Sequence, residues 1–347
     1  MKNPLSLCIL RLSAIGDVCH TLAVVQAIQR QYPDAEITWI IGKTEAMLMQ
    51  DLPNVTLIPF DKKSSWKGIF TIWKQLAHKR FDFLLNMQTA FRASILSLGI
   101  KADKKMGFNK DRAREMQWLF TNQKVEQTSS LHVLDGQMMF AKAIGVTDLT
   151  PKWQLPIPVE TVEKAKKWLD PMRKNVVISP CSSKAEKDWL IERYADIANW
   201  LIAQNINVIL VGSPAKRELE MTACIQQLAP NVQNLVGKTS LKELAALLKL
   251  ADLVLLPATG SAQISTFKGA PVIGLYAIHN PHRTAPYNDQ KNVISVYDEA
   301  VQDYYGKSWQ ALPWATKAKS KTGENLMARI SVESVKQKVV EILVRNR

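Results

Sequence analysis

The sequence has little cysteine: four in 347 residues, namely Cys8, Cys19, Cys181 and Cys224. No Cys-x-x-Cys pair and no Cys/His spacing of a zinc site occurs. That excludes a disulfide-stapled mini-protein and fits a reducing, cytoplasmic compartment. Cys8 and Cys224 stand in apolar segments and read as small core residues. No apolar run approaches the roughly 20 residues of a membrane span. The run Leu5–Leu10 follows Lys2, but Arg11 cuts it and no cleavage-type end follows, so a signal peptide is not expected. No Gly-x-Gly-x-x-Gly follows the first apolar run, which argues against a dinucleotide-dependent dehydrogenase. Gly42-Lys43-Thr44 and Gly237-Lys238-Thr239 each lack the glycine five positions earlier that a phosphate-cradling P-loop needs. No Asp-x-Asp is present to chelate a metal–sugar nucleotide. Acidic residues are few: 31 Asp plus Glu against 45 Lys plus Arg, a net charge of +14. That excess says nothing of fold but favours anionic partners, whether nucleic acid, phosphorylated small molecules or an acidic membrane surface.

The apolar share of 47% and charged share of 22% are those of a globular chain, and 347 residues suffice for two domains. Short apolar runs alternate with longer amphipathic stretches. Leu5–Leu12, Glu36–Gly42, Val55–Phe60 and Phe81–Met87 read as strands, with helices over about Val18–Gln31 and Trp66–His78. Asn122–Ser130 is polar and unpatterned, and a helix follows over about Leu131–Ile144. Asp148–Pro158 carries three prolines and reads as a linker. The alternation then restarts with strands at Asn175–Pro180, Asn207–Gly212, Val232–Val236, Leu253–Pro257, Pro271–Tyr276 and Asn292–Tyr297. A last amphipathic helix covers Val332–Val344, and Lys317–Lys321 reads as a solvated loop. This pattern predicts an α/β chain of two doubly wound, Rossmann-like domains, whose ligands bind beyond the carboxyl ends of parallel strands.

The residues just after each strand are therefore the informative ones. Ser13-Ala14-Ile15-Gly16-Asp17 follows the first strand. Gly16 permits a tight turn, and Asp17 either caps the next helix or serves as a general base; on residue type alone the cap is the commoner use. In the second half, Pro180-Cys181-Ser182-Ser183-Lys184 leads to Lys187, a set of hydroxyls, amides and a cation that suits a diphosphate or makes a plain polar turn. Thr259, Gly260 and Ser261 follow a later strand and can offer amides and hydroxyls to phosphate oxygens, or simply start a helix. Basic residues gather in the first half, and Lys62, Lys63 and Arg92 come just after strands. His132 opens a helix, a position more often structural than catalytic.

Taken in this order, these turns resemble the bacterial lipopolysaccharide heptosyltransferases of glycosyltransferase family 9, most closely the heptosyltransferase I type. The resemblance covers nearly the whole chain and is sharpest at Arg11–Asp17, Ser182–Trp189, Leu235–Leu241 and Thr259–Tyr276. It implies the GT-B architecture, two domains facing a central cleft. The expected parts are an acceptor-binding domain over 1–165, a donor-binding domain over 166–325, and a C-terminal helix over 326–347 that crosses back to pack on the first domain. The implied reaction is an inverting, metal-independent transfer of L-glycero-D-manno-heptose from ADP-heptose to Kdo of the inner core, with no cofactor. Asp17 matches the family's base. Ser182, Ser183, Lys187, Gly237, Thr259, Gly260, Ser261 and Gln263 fall on the donor side. Ser13, Gly16, Lys62, Lys63, Gln88, Arg92, Arg112 and His132 fall on the acceptor side. The implied partners are ADP-heptose, a Kdo-lipid A acceptor and the anionic inner leaflet, touched peripherally from the cytoplasm; no nucleic acid and no protein partner is implied. The last family motif usually reads Asp-Thr/Ser-Gly-x-x-His, whereas Ala258 and Gln263 stand here in place of the Asp and the His. An acidic donor-site residue is also missing near Pro214, with Glu218 a possible substitute. These differences motivate two rival readings: a different nucleotide sugar, or a catalytically silent binding protein with this fold.

Overall fold

The computed structural model describes residues 4–345 except 266 and 268. The chain divides into two compact units, Met1–Pro156 and Ile157–Arg347. The division falls inside the proline-bearing stretch and nine residues before the expected boundary. The reason is a short helix at Val159–Lys166, which packs on a second-unit helix and pairs Lys164 with Glu243.

The first unit runs β1 (Ser6–Leu10), α1 (Ile15–Gln31), β2 (Glu36–Gly42), α2 (Lys43–Met49), β3 (Val55–Phe60), α3 (Ser65–Leu76), β4 (Phe81–Asn86), α4 (Phe91–Leu98), β5 (Ala102–Gly107), β6 (Gln123–Lys124) and α5 (Val133–Ala143). The second runs α6 (Val159–Lys166), β7 (Asn175–Ile178), α7 (Ile191–Ala203), β8 (Asn207–Leu210), α8 (Lys216–Leu228), β9 (Gln233–Asn234), α9 (Leu241–Leu250), β10 (Leu253–Pro257), α10 (Gly260–Ile264), β11 (Val272–Tyr276), α11 (Pro281–Thr284), β12 (Ile294–Ser295), α12 (Tyr297–Tyr305) and α13 (Val332–Arg345). Among the described residues each unit holds one parallel sheet of six strands, in the orders β3-β2-β1-β4-β5-β6 and β12-β11-β10-β7-β8-β9. The central strands β7, β10 and β11 are buried along their length, as a parallel sheet covered on both faces requires. These sheets are the expected pair of doubly wound domains.

The strand order fixes where ligands go. In the first sheet the chain winds from β1 outward to β3, then crosses to β4 and winds the other way. The switch therefore lies between β1 and β4, which pair directly from Leu7↔Phe83 to Leu10↔Asn86. In the second sheet it lies between β7 and β10, paired from Leu253↔Val176 to Leu255↔Ile178. A crevice opens beyond the carboxyl ends at such points. The turns after β1, β4, β7 and β10 border these two crevices.

Three expectations change. β5 and β6 were not legible: β5 exposes Asp103 and Lys104 near the sheet edge, and β6 is two residues within the polar stretch. Cys224 is exposed, because α8 buries only Thr222 and Ile225. The resemblance implies a last helix that packs on the first domain; the helix is built into the second unit. Val335, Val339, Ile342 and Leu343 join that unit's core, and α13 packs on α7 and β10. Trp189 donates its indole N–H to the Ile330 carbonyl at 3.0 Å, fixing the approach to α13. No helix among the described residues is long and apolar enough to cross a membrane.

Candidate active site

In the first unit the backbone carries the sheet ladder past the end of β1: Arg11 N–H donates to Ile40, Gly42 to Leu12 and Met87 to Leu10. Gln88 finishes the turn, its Oε1 accepting the N–H groups of Leu12 and Ser13 at 3.1 and 3.2 Å. Gln88 is itself held by Gln117, whose amide donates to the carbonyls of Asn86 and Gln88. This places Asp17 in the first turn of α1. It does not cap the helix, because Ala14 occupies the N-cap and makes no side-chain cap bond. Instead, Asp17 forms an ion pair with Arg11. The Arg11 guanidinium is buried and also donates to the Met87 carbonyl, so it is fixed between β1 and β4. The Asp17 side chain keeps 33% of its surface exposed. It is thus a carboxylate oriented from behind by a buried cation and open in front. Arg11 was not among the expected site residues; its signal was a charge ending an otherwise apolar strand.

The other acceptor-side candidates fall into two groups. Ser13 and Gly16 flank the turn, half-buried. Lys62 follows β3 and pairs with the buried Glu45 at 2.7 Å, while Arg92 donates to the Lys62 carbonyl at 2.7 Å. Lys63 is exposed beside them. His132 and Arg112, by contrast, hold the chain entering α5. His132 is buried at its N-cap, with Nδ1 accepting the Leu134 N–H at 3.1 Å. The guanidinium of Arg112 donates to the carbonyls of Ser130 and His132 and passes over Gly136, where a Cβ would overlap it. These contacts fix the entry to α5.

In the second unit the turn after β7 folds on itself. Ser182 is buried, its hydroxyl donating to the Lys184 carbonyl at 2.7 Å and its N–H donating to Asp188 at 2.6 Å. The second oxygen of Asp188 pairs with Arg217 of α8, which also donates to the Ser182 carbonyl. Ser183 and Lys184 are left exposed. Lys187 is buried and points across the switch point: Nζ donates to the Ala258 carbonyl at 3.0 Å and reaches Ser183 Oγ at 3.5 Å. The turns after β7 and β10 thus meet at one ammonium. Burial lowers its pKa first, with Asp188 opposing.

Thr259, Gly260 and Ser261 begin α10 there, half-buried, and Thr259 is an N-cap whose side chain makes no cap bond. Gln263 is turned inward, tying α10 to the carbonyls of Thr284 and Ala285 at 3.0 and 3.4 Å. Gly237 takes a left-handed φ of +74° in the turn after β9, against Pro214. Glu218 accepts from the N–H and hydroxyl of Ser213, closing its own turn.

The sequence reading missed a group around Lys187. His279, just after β11, has its pKa pushed down to about 4, by burial first and then by Lys187, Lys317, Arg283 and Lys184. Lys317 is not in a free loop: the Ala318 N–H bonds the Ile278 carbonyl at 2.9 Å, and Lys317 reaches Glu186 at 3.6 Å. Arg283 stacks over Trp314 at 4.1 Å. The carboxyl end of this sheet is a nest of cations, assembled from three separate segments. Nothing in the local spacing of these residues connected them.

The brace beneath the nest has a measurable value. Asp188→Ala removes a buried acceptor that holds Arg217 and the Ser182 amide. Charge-assisted bonds of this kind contribute about 1.5–3 kcal/mol. Urea unfolding of the variant is expected to show a loss of about that size with an unchanged slope; an unchanged midpoint would remove Asp188 as the brace.

Residues 69–314 match the model of glycosyltransferase family 9 (heptosyltransferase). The chain is 59% identical over 335 residues, 96% of each chain, to the lipopolysaccharide core heptosyltransferase OpsX of Haemophilus influenzae. Its fold is similar to that of a glycosyl transferase family 9 protein from Veillonella parvula, with a TM-score of 0.79 at 21% identity, covering 98% of this chain and 97% of that one. It is also similar to Escherichia coli heptosyltransferase WaaC with ADP, with a TM-score of 0.73 at 20% identity, covering 97% and 99%. With the family's match spanning most of its length, this chain is a glycosyltransferase and belongs to glycosyltransferase family 9, the heptosyltransferases.

Proposed function

We propose that the protein transfers L-glycero-D-manno-heptose from ADP-heptose to a Kdo residue of the lipopolysaccharide inner core, with inversion and without a metal, using Asp17 as general base. The observation that carries this reading is the 59% identity to a core heptosyltransferase along 96% of both chains. The chemistry follows from the residues. A Kdo hydroxyl attacks the anomeric carbon and passes its proton to the Asp17 carboxylate, which Arg11 holds in position. The C–O bond to ADP breaks as the new one forms, and negative charge develops on the departing diphosphate. Lys187, Lys184 and the Thr259 hydroxyl, which makes no cap bond, supply cationic and hydrogen-bonding stabilisation where that charge appears. Lys62, Lys63 and Arg92 suit the carboxylates and phosphates of the acceptor. An enzyme working on a lipid-linked sugar would act from the cytoplasm at the inner leaflet, as a peripheral protein.

The test is ADP release with ADP-heptose and a Kdo-lipid A acceptor. Release is expected only when both are present. Release with acceptor omitted, or none at all, would overturn the reading.

His279 adds a prediction about pH. Its imidazole is neutral in the free protein, held near 4 by burial and four cations. A bound diphosphate screens those cations, so the imidazole pKa rises in the complex. Binding then takes up a proton, and ADP affinity is strengthened as the pH falls from the ordinary 6.5 towards 4. Calorimetry in two buffers of different ionisation heat reads the proton count. His279→Gln is expected to lose that uptake, which separates the imidazole from the titration of the phosphate itself. Equal proton counts for both proteins would remove His279 from the donor site.

A further inference from the structure

The first unit carries an aromatic and basic face that the proposed chemistry does not use. On α3, Trp66 and Phe70 stand about one turn apart and are 56% and 58% exposed. Lys67 and Lys74 share that side of the helix and are exposed as well. The helix is already anchored by another stripe: Ile69, Ile72 and Leu76 are buried in one core with Ala93 and Leu96 of α4. A surface helix needs one apolar stripe; this one has two, and the second faces solvent.

The Trp73 indole donates to the Leu96 carbonyl at 2.8 Å, fixing α3 on α4. At the start of α4, the Phe91 ring meets Phe120 edge-on at 5.9 Å. Phe120 ends a 3-10 turn, Gln117–Phe120, whose Trp118 and Leu119 are 44% and 67% exposed. α3 thus presents two large exposed rings beside two lysines, and the 3-10 turn packed on α4 exposes two more large apolar side chains. Rings that sit at the headgroup level, with ammonium groups reaching phosphates, are what an interfacial helix offers a bilayer.

We propose that this face docks the protein onto an anionic lipid bilayer. The proposal rests on the reading that the acceptor is lipid-linked, and it names the surface that meets the membrane. Charge complementarity chooses the occupant: Lys67 and Lys74 flank the rings and match anionic headgroups. The position agrees, because α3 begins directly after Lys62 and Lys63 at the carboxyl end of β3. Docking through Trp66 and Phe70 brings that end, with its candidate acceptor residues, to the headgroup layer.

The experiment is co-sedimentation of the full chain with vesicles of phosphatidylcholine alone or mixed with phosphatidylglycerol. Wild type is expected to bind the mixed vesicles at least tenfold more tightly. Trp66→Ser with Phe70→Ser is expected to reduce that binding at least tenfold, and Lys67→Gln with Lys74→Gln several-fold, with stronger effects at low salt. Both double variants should keep wild-type turnover on a delipidated, water-soluble Kdo acceptor, which also reports that they fold. Trp118→Ser with Leu119→Ser is a second route to the same loss if the α3 variant proves unstable. Undiminished vesicle binding in folded variants overturns the proposal. So does a wild type that ignores vesicles, including one that self-associates through Trp66 and Phe70 instead. Wild-type turnover on the soluble acceptor without vesicle binding would remove the surface and keep the function. Vesicle binding lost in the variants, without heptose transfer by wild type, would do the reverse.

Discussion

Asp17→Asn is expected to lower kcat by about 10²–10⁴-fold while leaving the affinity for both substrates nearly intact. Asparagine preserves the shape of the side chain and can still meet Arg11 through its carbonyl oxygen, but it cannot take a proton at neutral pH. The competing use of this residue, a helix cap, does not arise in the structure, because Ala14 holds the N-cap. The remaining structural use is the ion pair with Arg11. That role predicts a lower melting temperature and unchanged turnover per folded molecule. The base predicts the opposite split, so kcat and Tm measured on one preparation separate the two. Near-normal kcat in a folded Asp17→Asn protein would remove Asp17 as the base.

Lys187→Ala is the second large effect. The ammonium is buried, donates to the Ala258 carbonyl and lies at the meeting point of the turns after β7 and β10. If it meets the leaving diphosphate, its charge matters more as ADP departs than when the donor first binds. Donor KM should rise and kcat should fall, for a combined loss of about 10²–10³ in kcat/KM, the scale of losing one donor to a developing anion. Acceptor KM should change little. The stability readout runs the other way: removing a buried cation that the surroundings already disfavour should leave Tm unchanged or higher. A lower Tm with wild-type kinetics would make Lys187 a structural tie between two turns.

Much of the fold was legible because parallel strands buried on both faces have to be apolar runs, and Glu36–Gly42 and Leu253–Pro257 match the structure end to end, as does the half-exposed edge strand Val55–Phe60. β5 escaped because Asp103 and Lys104 face solvent near a sheet edge, where no apolar run is needed. The site was legible to the extent that it is local. Asp17 and Lys187 each lie less than ten residues beyond a strand, where the winding of the sheet opens a crevice. Arg11, Arg217, His279 and Lys317 were not legible as site residues, since each acts through partners 6 to 131 positions away that only the fold brings near. Gln263 carries a tie that its motif position does not reveal, its amide donating to the carbonyls of Thr284 and Ala285. Ala258 has no polar side chain, and Lys187 takes its backbone carbonyl.

The most direct test of the central claim is a donor panel. The protein is incubated with a Kdo-lipid A acceptor and, in turn, ADP-heptose, ADP-glucose, UDP-glucose and GDP-mannose. Nucleotide release is measured alongside the mass and anomeric configuration of the product. The expected result is release of ADP from ADP-heptose alone, one heptose added to Kdo, and a linkage opposite in configuration to that of the donor. Transfer from another nucleotide sugar in preference to ADP-heptose, or a product that retains the donor's configuration, would contradict it.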